Sequence, residues 1–573
     1  MSGLAIHALL ELDSSGWGPL AFGAPRQVIE AHALPDVVPA IRAAEASALA
    51  GRWVVGFVAY EAAPAFDAAL RVRPGAGPLA WFGVHDAPLQ VAPAGTGQAR
   101  VTGIEPELGA TAHAAAVETI REAVAAGAVY QVNFTFRLRG RLEGDPLALY
   151  RRLRGAQGAG DTAYVRAGPR AIVSASPELF LLRRGDRVTT RPMKGTARRG
   201  RWPEEDDAVR LRLAASEKDR AENVMIADLL RNDLGRVAAV GSVEAGPLLE
   251  VERLRTVWQL TSTVSARMRP GADLADLFAA TFPCGSVTGA PKVAAMRLAA
   301  HLEASPRGAY CGAVGAIAPG GDACFNVAIR TAEVDLATGA AVYGTGGGIT
   351  WDSAAAAEWD EALAKTRVLE MDPELPTLLE TMRLAGGRVS LLDGHLARLS
   401  GSARYLGVSL DLAAVRARLV AETGDARLRL LVSPDGAFTL ERSPLPAPAA
   451  GPVPLAFSAE PVDRRDVALF HKTTRRAPYD RRRAERPDAF DVLLVNREGE
   501  VTEGTFTNLV VEIEGERVTP PLDAGLLPGV FRADLLSRGE VRERRLLPAD
   551  LSRARRIWLV NALRGWIEAR LLP

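Results

Sequence analysis

The apolar and polar positions of the first 370 residues follow the two periods of a mixed helix and strand protein. Residues 53–60 form an apolar run that predicts a buried strand. From 84 to 110 the chain is rich in Pro, Gly and Ala, which predicts a long surface connection. Helical spacing then predicts a helix over 111–126, ended by Gly127, and the β-branched and aromatic run 129–136 predicts a strand.

A lysine stands where one extended run ends. Residues 187–190 predict a strand and Pro192 a turn, with Lys194 just beyond it. A solvated lysine is protonated at neutral pH, so desolvation or a nearby cation would be needed to make it a nucleophile. Glu178 lies between the short strands predicted within 171–182, and we place Lys194 on the following strand. If those strands are neighbours, acid and nucleophile share a pocket; a solvated surface turn is the alternative.

Two predicted helices carry acidic side chains on one face. They span 216–237, with Asp219 and Glu222, and 354–370, with Glu358, Glu361 and Lys365. The simplest interpretation is a solvated face with an i,i+4 pair between Glu361 and Lys365. The sharper interpretation has Glu222 and Glu361 converging on Mg²⁺, which takes oxygen ligands and keeps several waters.

Two glycine-rich segments, 282–292 and 343–349, are predicted to be turns that precede helices, where backbone N–H groups bind anions. Neither has the ending of a P-loop or a dinucleotide fingerprint. The run 325–330 predicts a strand that ends in Arg330, suited to a carboxylate. These features together predict a site for a small polyanion with Mg²⁺.

The pattern restarts after the segment 371–376. Residues 378–383 are strand-like and 392–399 open a helix, while the proline-rich stretch 443–448 divides this half into two lobes. Lys472 is followed by a segment that contains Glu503. A lysine and a carboxylate that can face a pyridine nitrogen are what pyridoxal phosphate chemistry needs.

Composition narrows the function. A chain of 573 residues predicts several domains, and 48% hydrophobic with 24% charged residues is ordinary for a globular protein. The net charge of +1 gives no electrostatic case for nucleic acid or an anionic membrane, and the arginine-rich stretch 475–486 is predicted to be a solvated loop. Three cysteines without CxxC spacing, no signal peptide at the N-terminus and no long apolar run predict a cytoplasmic enzyme.

Residues 111–368 resemble the chorismate-utilising enzymes. The motifs that carry this resemblance occur at 130–133, 176–178, 192–196, 218–223, 231–234, 284–292, 307–312 and 344–361. Within that family, aminodeoxychorismate synthases carry lysine at the position of Lys194 and anthranilate synthases carry alanine. Isochorismate and salicylate synthases have a base lysine where this chain has Gln131. The resemblance therefore implies amination of chorismate.

The resemblance also implies roles for individual residues. Lys194 would attack C2 of chorismate, with Glu178 as general acid and Mg²⁺ assisting departure of the C4 hydroxyl. The implied metal ligands are Glu222, Glu361 and Glu358, and the implied substrate contacts are Tyr310, Arg330, Lys365, Thr196, Gly346, Gly347 and Gly348. Gln259 stands where many members have histidine and cannot carry a proton.

Residues 375–570 resemble the fold-type IV pyridoxal phosphate enzymes, which include aminodeoxychorismate lyases, branched-chain aminotransferases and D-amino acid aminotransferases. The resemblance implies Lys472 as the Schiff-base lysine, Glu503 at the pyridine nitrogen, Arg398 at the phosphate and Asn508 as a further cofactor contact. Relatives often have a hydroxyl residue where this chain has Ala562. Fold-type IV alone does not separate lyase from aminotransferase, but fusion to a synthase favours the lyase.

The two resemblances imply a multidomain α+β chain with four parts. These are 1–110, an N-terminal part of synthase component I; 111–370, a chorismate-binding β-sandwich core flanked by helices; 371–376, a linker; and 377–573, a two-lobed fold-type IV domain. The implied function is synthesis of 4-aminobenzoate, a folate precursor, from chorismate. The chain shows no glutaminase pattern, so ammonia is expected from a separate glutamine amidotransferase. Whether the pyridoxal phosphate domain forms a homodimer stays open.

Two rival hypotheses remain at this point. One is an anthranilate-type synthase fused to an aminotransferase, against which Lys194 argues. The other is a regulatory binding module in which one lobe has lost catalysis and residues 1–83 sense an amino acid.

Overall fold

The structure, a computed structural model, describes residues 6–90, 98–371 and 373–572. Parts of three predicted segments lie outside the described residues: 1–5 of the N-terminus, 91–97 of the surface connection, and Asp372 of the linker. The chain divides into two compact units. The first contains the chain up to Arg198 and Arg210–Glu374, and the second contains Arg199–Val209 and Leu375–Pro573.

The strands of the first unit, in chain order, are β1 (Ala8–Leu12), β2 (Pro19–Phe22), β3 (Gln27–Ala31), β4 (Trp53–Val58), β5 (Ala80–His85), β6 (Ala99–Pro106), β7 (Gln131–Gly144), β8 (Asp161–Ala167), β9 (Arg170–Ser176), β10 (Leu179–Arg184), β11 (Arg187–Arg191), β12 (Met193–Arg198), β13 (Glu244–Ala245), β14 (Glu250–Arg253), β15 (Val257–Thr261), β16 (Val264–Arg267), β17 (Gly289–Ala290), β18 (Ala313–Ile317), β19 (Ala323–Val327), β20 (Thr331–Asp335) and β21 (Ala340–Ile349).

The α-helices of the first half of the chain are α1 (Leu34–Leu49), α2 (Ala110–Ala125), α3 (Pro146–Gln157), α4 (Pro203–Ala215), α5 (Glu217–Gly235), α6 (Leu274–Thr281), α7 (Lys292–Leu302) and α8 (Ala355–Ala364). Helix α5 begins where the sequence predicts because Ser216 caps it, its hydroxyl accepting from the Asp219 N–H at 3.3 Å.

Two large sheets form a β-sandwich in the first unit. Among the described residues one sheet runs β17-β7-β21-β20-β9-β8-β1-β2, with β6 beside β7, and the other runs β13-β16-β11-β10-β19-β18-β4-β5-β3. Leu10 and Ile172 of one sheet share an apolar core with Phe57 and Val314 of the other. Helices pack on the outer faces: α3 contributes Leu149 and Tyr150 to one outer core, and α1, α5 and α6 contribute to the other.

Two predictions for this unit are wrong. Residues 99–106 are not surface connection but strand β6, which pairs antiparallel with β7. The glycine-rich segment 343–349 is not a turn but lies inside β21, in register with β7 from Ala340 to Ile349. Glycine fits there because it pairs in the ladder while leaving space for large side chains on the neighbouring face.

The strands of the second unit are β22 (Leu378–Ala385), β23 (Arg388–Val389), β24 (Ala426–Val432), β25 (Phe438–Ser443), β26 (Val453–Phe457), β27 (Asp491–Val495), β28 (Val501–Gly504), β29 (Asn508–Ile513), β30 (Glu516–Thr519), β31 (Arg542–Glu543), β32 (Arg556–Asn561) and β33 (Gly565–Leu571). Its helices are α9 (Leu392–Leu406), α10 (Leu412–Val420), α11 (Ala477–Ala484), α12 (Val530–Ser537) and α13 (Pro548–Arg553).

The second unit has two lobes, each with its own sheet and core. The described strands form a sheet of order β23-β22-β24-β25 before the proline-rich stretch, and one of order β28-β27-β26-β33-β32-β29-β30-β31 after it. The predicted loop at 475–486 is wrong, because helix α11 occupies Ala477–Ala484. Pro478 sits in the first turn of that helix, where a missing N–H costs nothing. Among the described residues, no helix is both long and apolar enough to cross a membrane.

Candidate active sites

Lys194 lies on β12, the edge strand of a small sheet of order β12-β15-β14. Asn223 of α5 donates from Nδ2 to the Lys194 carbonyl and to the Leu260 carbonyl, each at 3.0 Å, which ties the helix to this strand. Gly195 has φ of +86°, and a Cβ there would lie 2.9 Å from Asp219 Cβ. The glycine after Lys194 is therefore required for the close approach of strand and helix.

Glu178 and Lys194 line the same cavity, which has a volume of about 170 Å³. The predicted route to this arrangement is wrong. Glu178 directly precedes β10, whose following strand and neighbour in the same sheet is β11, whereas Lys194 lies one strand later, on β12 of another sheet. Burial raises the pKa of Glu178 to about 7, opposed by hydrogen bonds from Ser286 and the Met193 N–H. Its Oε1 is buried and has no hydrogen-bond partner among the residues that the structure describes. A carboxyl that keeps its proton near neutrality suits a general acid.

The Lys194 amine is desolvated at the wall of this cavity. Burial lowers its pKa, and nearby Lys365 lowers it further, against the opposing pull of Glu222. These are the two conditions that the sequence analysis required for a nucleophilic lysine.

Three further carboxylates line the cavity: Glu222 from α5, and Glu358 and Glu361 from α8. Burial raises the pKa of Glu222 and of Glu358, and each is raised further by a neighbouring carboxylate. Glu361 differs because Lys365 Nζ lies 2.8 Å from its Oε1 and lowers its pKa. Helix α8 ends at Ala364, earlier than predicted, and a short 3₁₀ turn follows at Arg367–Leu369.

These carboxylates fit Mg²⁺ by their chemistry. The described residues include no group of three or more His, Cys, Asp or Glu side chains already arranged around a metal position. Mg²⁺ does not need one, because it binds through one or two carboxylates and completes its shell with water and substrate oxygens. Its charge would also relieve the crowding that raises the pKa of Glu222 and Glu358.

The remaining wall combines Tyr310, Arg330 and the glycines of β21. Arg330 has φ of +52° and Cys311, next to Tyr310, has φ of +64°, unusual values that mark a constrained backbone on both sides of the cavity. A Cβ on Gly344 would overlap the Tyr310 ring, and one on Gly348 would overlap Gln131 Nε2 and Lys194 Nζ. Gly344 and Gly348 therefore leave room for the side chains of Tyr310, Gln131 and Lys194. The backbone of Gly346 has a different contact, because Lys365 Nζ donates to its carbonyl at 2.8 Å.

Gln259 has a visible role without carrying a proton. Its Oε1 accepts from the Thr196 hydroxyl at 2.9 Å, and its Nε2 donates to the Gly195 carbonyl at 2.9 Å. Both contacts hold the backbone beside Lys194. Lys218, Asp219 and Ser286 also line the cavity, although the sequence analysis assigned none of them to the site. Asp219 was placed on the same helix face as Glu222, and Lys218 lies one helical turn before Glu222, so their spacing was visible in the sequence. Ser286 lies in the motif 284–292, where nothing singled it out.

The second cavity, of about 400 Å³, is lined by Lys472, Glu503, Arg398 and Asn508. Burial lowers the pKa of Lys472 to about 8, and Arg398 lowers it further. Burial raises the pKa of Glu503 to about 8, opposed by hydrogen bonds from the Leu527 N–H and the Tyr479 hydroxyl. Asn508 Nδ2 donates to Glu503 Oε2 at 3.3 Å and to the Leu527 carbonyl at 3.0 Å.

Arg398 is held by a buried carboxylate that the sequence analysis missed. Its Nε and Nη2 donate to Glu380 at 2.9 and 2.6 Å, and Glu380 also contacts His395 Nδ1 at 2.7 Å. Burial would raise the pKa of Glu380, but Arg398 and His395 together lower it to about 2. The other nitrogen of His395, Nε2, is buried beside the same cavity and has no hydrogen-bond partner in the described part of the chain.

These residues fit pyridoxal phosphate. Lys472 and Glu503 supply an amine and a carboxylate in one cavity, and Arg398 with the unpartnered His395 Nε2 supplies groups suited to a phosphate. Asn561 and Ala562 also line the cavity, so the alanine noted in the sequence does lie at this site. Tyr479, Glu380 and His395 were not predicted; among them only His395, three residues before Arg398, had a helical spacing that could have revealed it.

Arginines surround the rest of this cavity. They are Arg427, Arg429, Arg475, Arg476, Arg483 and Arg564. The acidic residues that line the cavity are Asp480 and Glu503. Arg476 donates to the Thr505 carbonyl, and the Arg483 guanidinium lies 4.7 Å from the centre of the Phe506 ring. Three of these arginines come from the stretch that was predicted to be a solvated loop.

Residues 20–371 match the family of chorismate binding enzymes, and residues 377–572 match the class IV amino-transferases. Over 254 residues the chain is 43% identical to an aminodeoxychorismate synthase of Streptomyces griseus, covering 44% of this chain and 35% of that protein. It is 38% identical over 263 residues to aminodeoxychorismate synthase component 1 of Bacillus subtilis, covering 45% and 56%. The matched part thus spans about half, or less, of these relatives.

A crystal structure of anthranilate synthase component I from Streptococcus pneumoniae superposes with a TM-score of 0.53 at 25% identity, covering 64% of this chain and 91% of that one. The predicted fold class is confirmed: a chorismate-binding fold precedes a class IV aminotransferase-like domain.

Proposed function

Because this chain belongs to the chorismate binding enzyme family, we propose that it makes 4-aminobenzoate from chorismate in two steps. The first unit aminates chorismate at C4 to give 4-amino-4-deoxychorismate. The second unit removes pyruvate from that product, and the ring becomes aromatic. The observation that carries the proposal is the coexistence of a desolvated Lys194 beside Glu178 in one cavity and a desolvated Lys472 with Glu503 in another.

In the first step Lys194 Nζ attacks C2 of chorismate while Glu178 gives its proton to the departing C4 hydroxyl, which leaves as water. Ammonia then adds at C4 and the lysine amine leaves C2. Glu222 and Glu361, with Glu358 beside them, would hold Mg²⁺, which when bound supplies positive charge to the leaving oxygen and the ring carboxylate. Tyr310, Arg330, Lys365 and Thr196, with the backbone at Gly346, Gly347 and Gly348, would orient the substrate.

In the second step Lys472 Nζ moves a proton from C4 of the intermediate, and the enolpyruvyl group leaves from C3 as pyruvate. Pyridoxal phosphate, when bound, supplies the electron sink for this chemistry. Glu503, held by Tyr479 and Asn508, would face the pyridine nitrogen, and Arg398 the phosphate.

Lys194 favours this function over the anthranilate-type alternative. An anthranilate-type site needs no protein nucleophile at C2, because ammonia itself adds there, whereas here the strand, Gly195, Asn223 and Gln259 all hold the lysine in the cavity. The name component 1 in the Bacillus subtilis relative supports an assembly with another component. We assign that component as a glutamine amidotransferase that delivers ammonia. Three buried free cysteines support a reducing compartment, for which we propose the cytoplasm.

The test is product analysis of the purified chain given chorismate, Mg²⁺, ammonium and pyridoxal phosphate. We expect 4-aminobenzoate and pyruvate in equal amounts, and aminodeoxychorismate to accumulate in Lys472→Ala. Lys194→Ala should consume no chorismate by this route. Anthranilate as the product would overturn the first step, and aminodeoxychorismate without 4-aminobenzoate from the unmutated chain would overturn the second.

A further inference from the structure

Residues 199–209 follow directly after the strand that carries Lys194, but they belong to the second compact unit. Within that unit, residues 199–206 contact Phe470 and His471, the two residues that precede Lys472. We call residues 199–206 the docking segment. The docking segment therefore contacts the two residues directly before the lysine of the second cavity. These contacts could not be predicted from the sequence.

His471 is held on two sides. Its Nε2 lies 3.1 Å from the Arg201 carbonyl of the docking segment, and its Nδ1 lies 3.0 Å from the Ser402 hydroxyl. A carbonyl can only accept, so Nε2 carries the proton and Nδ1 accepts from Ser402. Burial lowers the pKa of His471 to about 4, so the ring is neutral at physiological pH and this pattern is retained.

The ring of His471 also stacks on the ring of Tyr405, with centroids 4.4 Å apart. The Tyr405 hydroxyl donates to the Gly200 carbonyl at 2.7 Å, and the Arg199 guanidinium lies 4.2 Å from the centre of the Tyr405 ring. Arg199 is buried and paired with Asp206 of the same segment at 2.6 Å. The stack of Arg199, Tyr405 and His471 therefore rests on the docking segment.

Phe470 is held in the same way. Trp202 stacks on its ring with centroids 5.1 Å apart, and the Arg201 guanidinium lies 4.7 Å from the Trp202 ring and 5.3 Å from the Phe470 ring. Arg201 also donates to the carbonyls of Arg464 and Asp523. The backbone of Lys472 itself is held by β22, because the Lys472 carbonyl accepts from the Leu379 N–H at 2.9 Å.

We propose that the docking segment is a positioning element of the second active site, which fixes the backbone before Lys472 so that its amine meets pyridoxal phosphate in the productive orientation. This inference rests on the proposed role of Lys472. The contributing residues are positioning residues, because they act through Phe470 and His471 and do not line the Lys472 cavity, apart from His471 itself.

The test uses the full chain and pyridoxal phosphate alone. Trp202→Ala removes the stack on Phe470, and Tyr405→Phe removes only the hydroxyl that binds Gly200. The readouts are the dissociation constant of the cofactor, from its absorbance on binding, and the pH at which that absorbance changes. One lost aromatic pair predicts binding about fivefold weaker in Trp202→Ala. Trp202→Phe, which keeps an aromatic ring, should restore most of the loss.

The matched control is Asp207→Asn, one residue beyond the docking segment. Asp207 forms an exposed ion pair with Arg404 at 3.1 Å, and exposed pairs contribute little. We expect it to bind the cofactor like the unmutated chain. Trp202→Ala and Tyr405→Phe behaving like this control in both affinity and absorbance would overturn the inference. Failure of the unmutated chain to bind pyridoxal phosphate would instead overturn the proposed function. Tyr405→Phe deletes a single oxygen, so it answers the question even if Trp202→Ala does not fold.

Discussion

The two cavities carry opposite balances of charge, although the proposed substrates are both dicarboxylates. The first is lined by four basic residues (Lys194, Lys218, Arg330, Lys365) and five acidic ones (Glu178, Asp219, Glu222, Glu358, Glu361). The second is lined by eight basic residues, seven of them arginines, and by the acidic residues Asp480 and Glu503. One molecule thus attracts similar anions in two different ways.

The difference predicts which site depends on an added cation. An anion that enters the first cavity meets carboxylates, and the proposed Mg²⁺ would reverse the local charge there. An anion that enters the second meets guanidinium groups, which are always charged and bind carboxylates through paired N–H donors.

The largest effect should come from metal removal. Chelation of Mg²⁺ should lower chorismate consumption by about a thousandfold or more, because the metal supplies several kcal/mol of charge stabilisation. Supplied aminodeoxychorismate should still be cleaved at the normal rate. The measurement is the rate of each half reaction with EDTA, with excess Mg²⁺ as the control for recovery. Equal loss in both reactions would contradict the contrast.

The two sites should also respond to pH in opposite directions. Glu178, with its pKa raised to about 7, donates a proton only below that value, so the first step should slow about tenfold per unit as pH rises above it. Lys472, with its pKa lowered to about 8, is a free amine only above that value, so loading of pyridoxal phosphate should accelerate as pH rises to about 8.

Separate pH profiles of the first half reaction and of cofactor binding make this measurement. Glu178→Gln should slow the first step by about a hundredfold or more and flatten its alkaline limb. An unchanged alkaline limb in that variant would assign the proton to another group.

A smaller effect should follow from neutralising the arginines of the second cavity. Arg427→Gln should raise the KM for aminodeoxychorismate about fivefold with kcat unchanged, since one charge interaction screened by water is worth about 1 kcal/mol. The effect should shrink at high salt. Arg416→Gln is the control, because Arg416 forms an exposed pair with Asp393 and does not line the cavity. Equal KM values for the two variants would show that the arginines do not select the substrate.

The smallest effect should come from Gln259. Its amide bridges the Thr196 hydroxyl and the Gly195 carbonyl, and a neutral histidine also offers one acceptor and one donor. Gln259→His should therefore change the rate of the first step by less than about threefold, whereas Gln259→Ala removes both contacts. Steady-state rates across pH would make the comparison. A new limb near pH 6.5, the ordinary pKa of histidine, would show that this position can carry a proton after all.

The sequence predicted the residues that line the two cavities better than the elements that bring them together. Helix α5 was predictable because Ser216 and the helical spacing of Glu222 are local signals. Lys194 and Glu178 were predicted to share a pocket, but through neighbouring strands. In the structure β11 is the neighbour of β10, and Lys194 lies on β12, which belongs to another sheet. The glycines of β21 were read as a turn because glycine signals a turn locally, and only the side chains of Tyr310 and Gln131 explain them in a strand.

The partners of the second site were the hardest to foresee. Glu380 fixes Arg398 and His395 from a strand that ordinary apolar patterning predicts, so its role depends on a tertiary contact. The arginines after Lys472 were read as solvated because charge runs usually are, whereas helix α11 carries Arg483 along the cavity.

The docking segment has a consequence for how such a protein can be divided. A gene cut at the codons for 371–376 would place residues 199–209 on the first polypeptide, while their partners Tyr405, Phe470 and His471 would be on the second. The second product would lack the Trp202 stack and the Arg201 contacts beside Lys472. The two units are therefore not simply joined end to end, and a separated second unit would need other contacts in the place where that segment now packs.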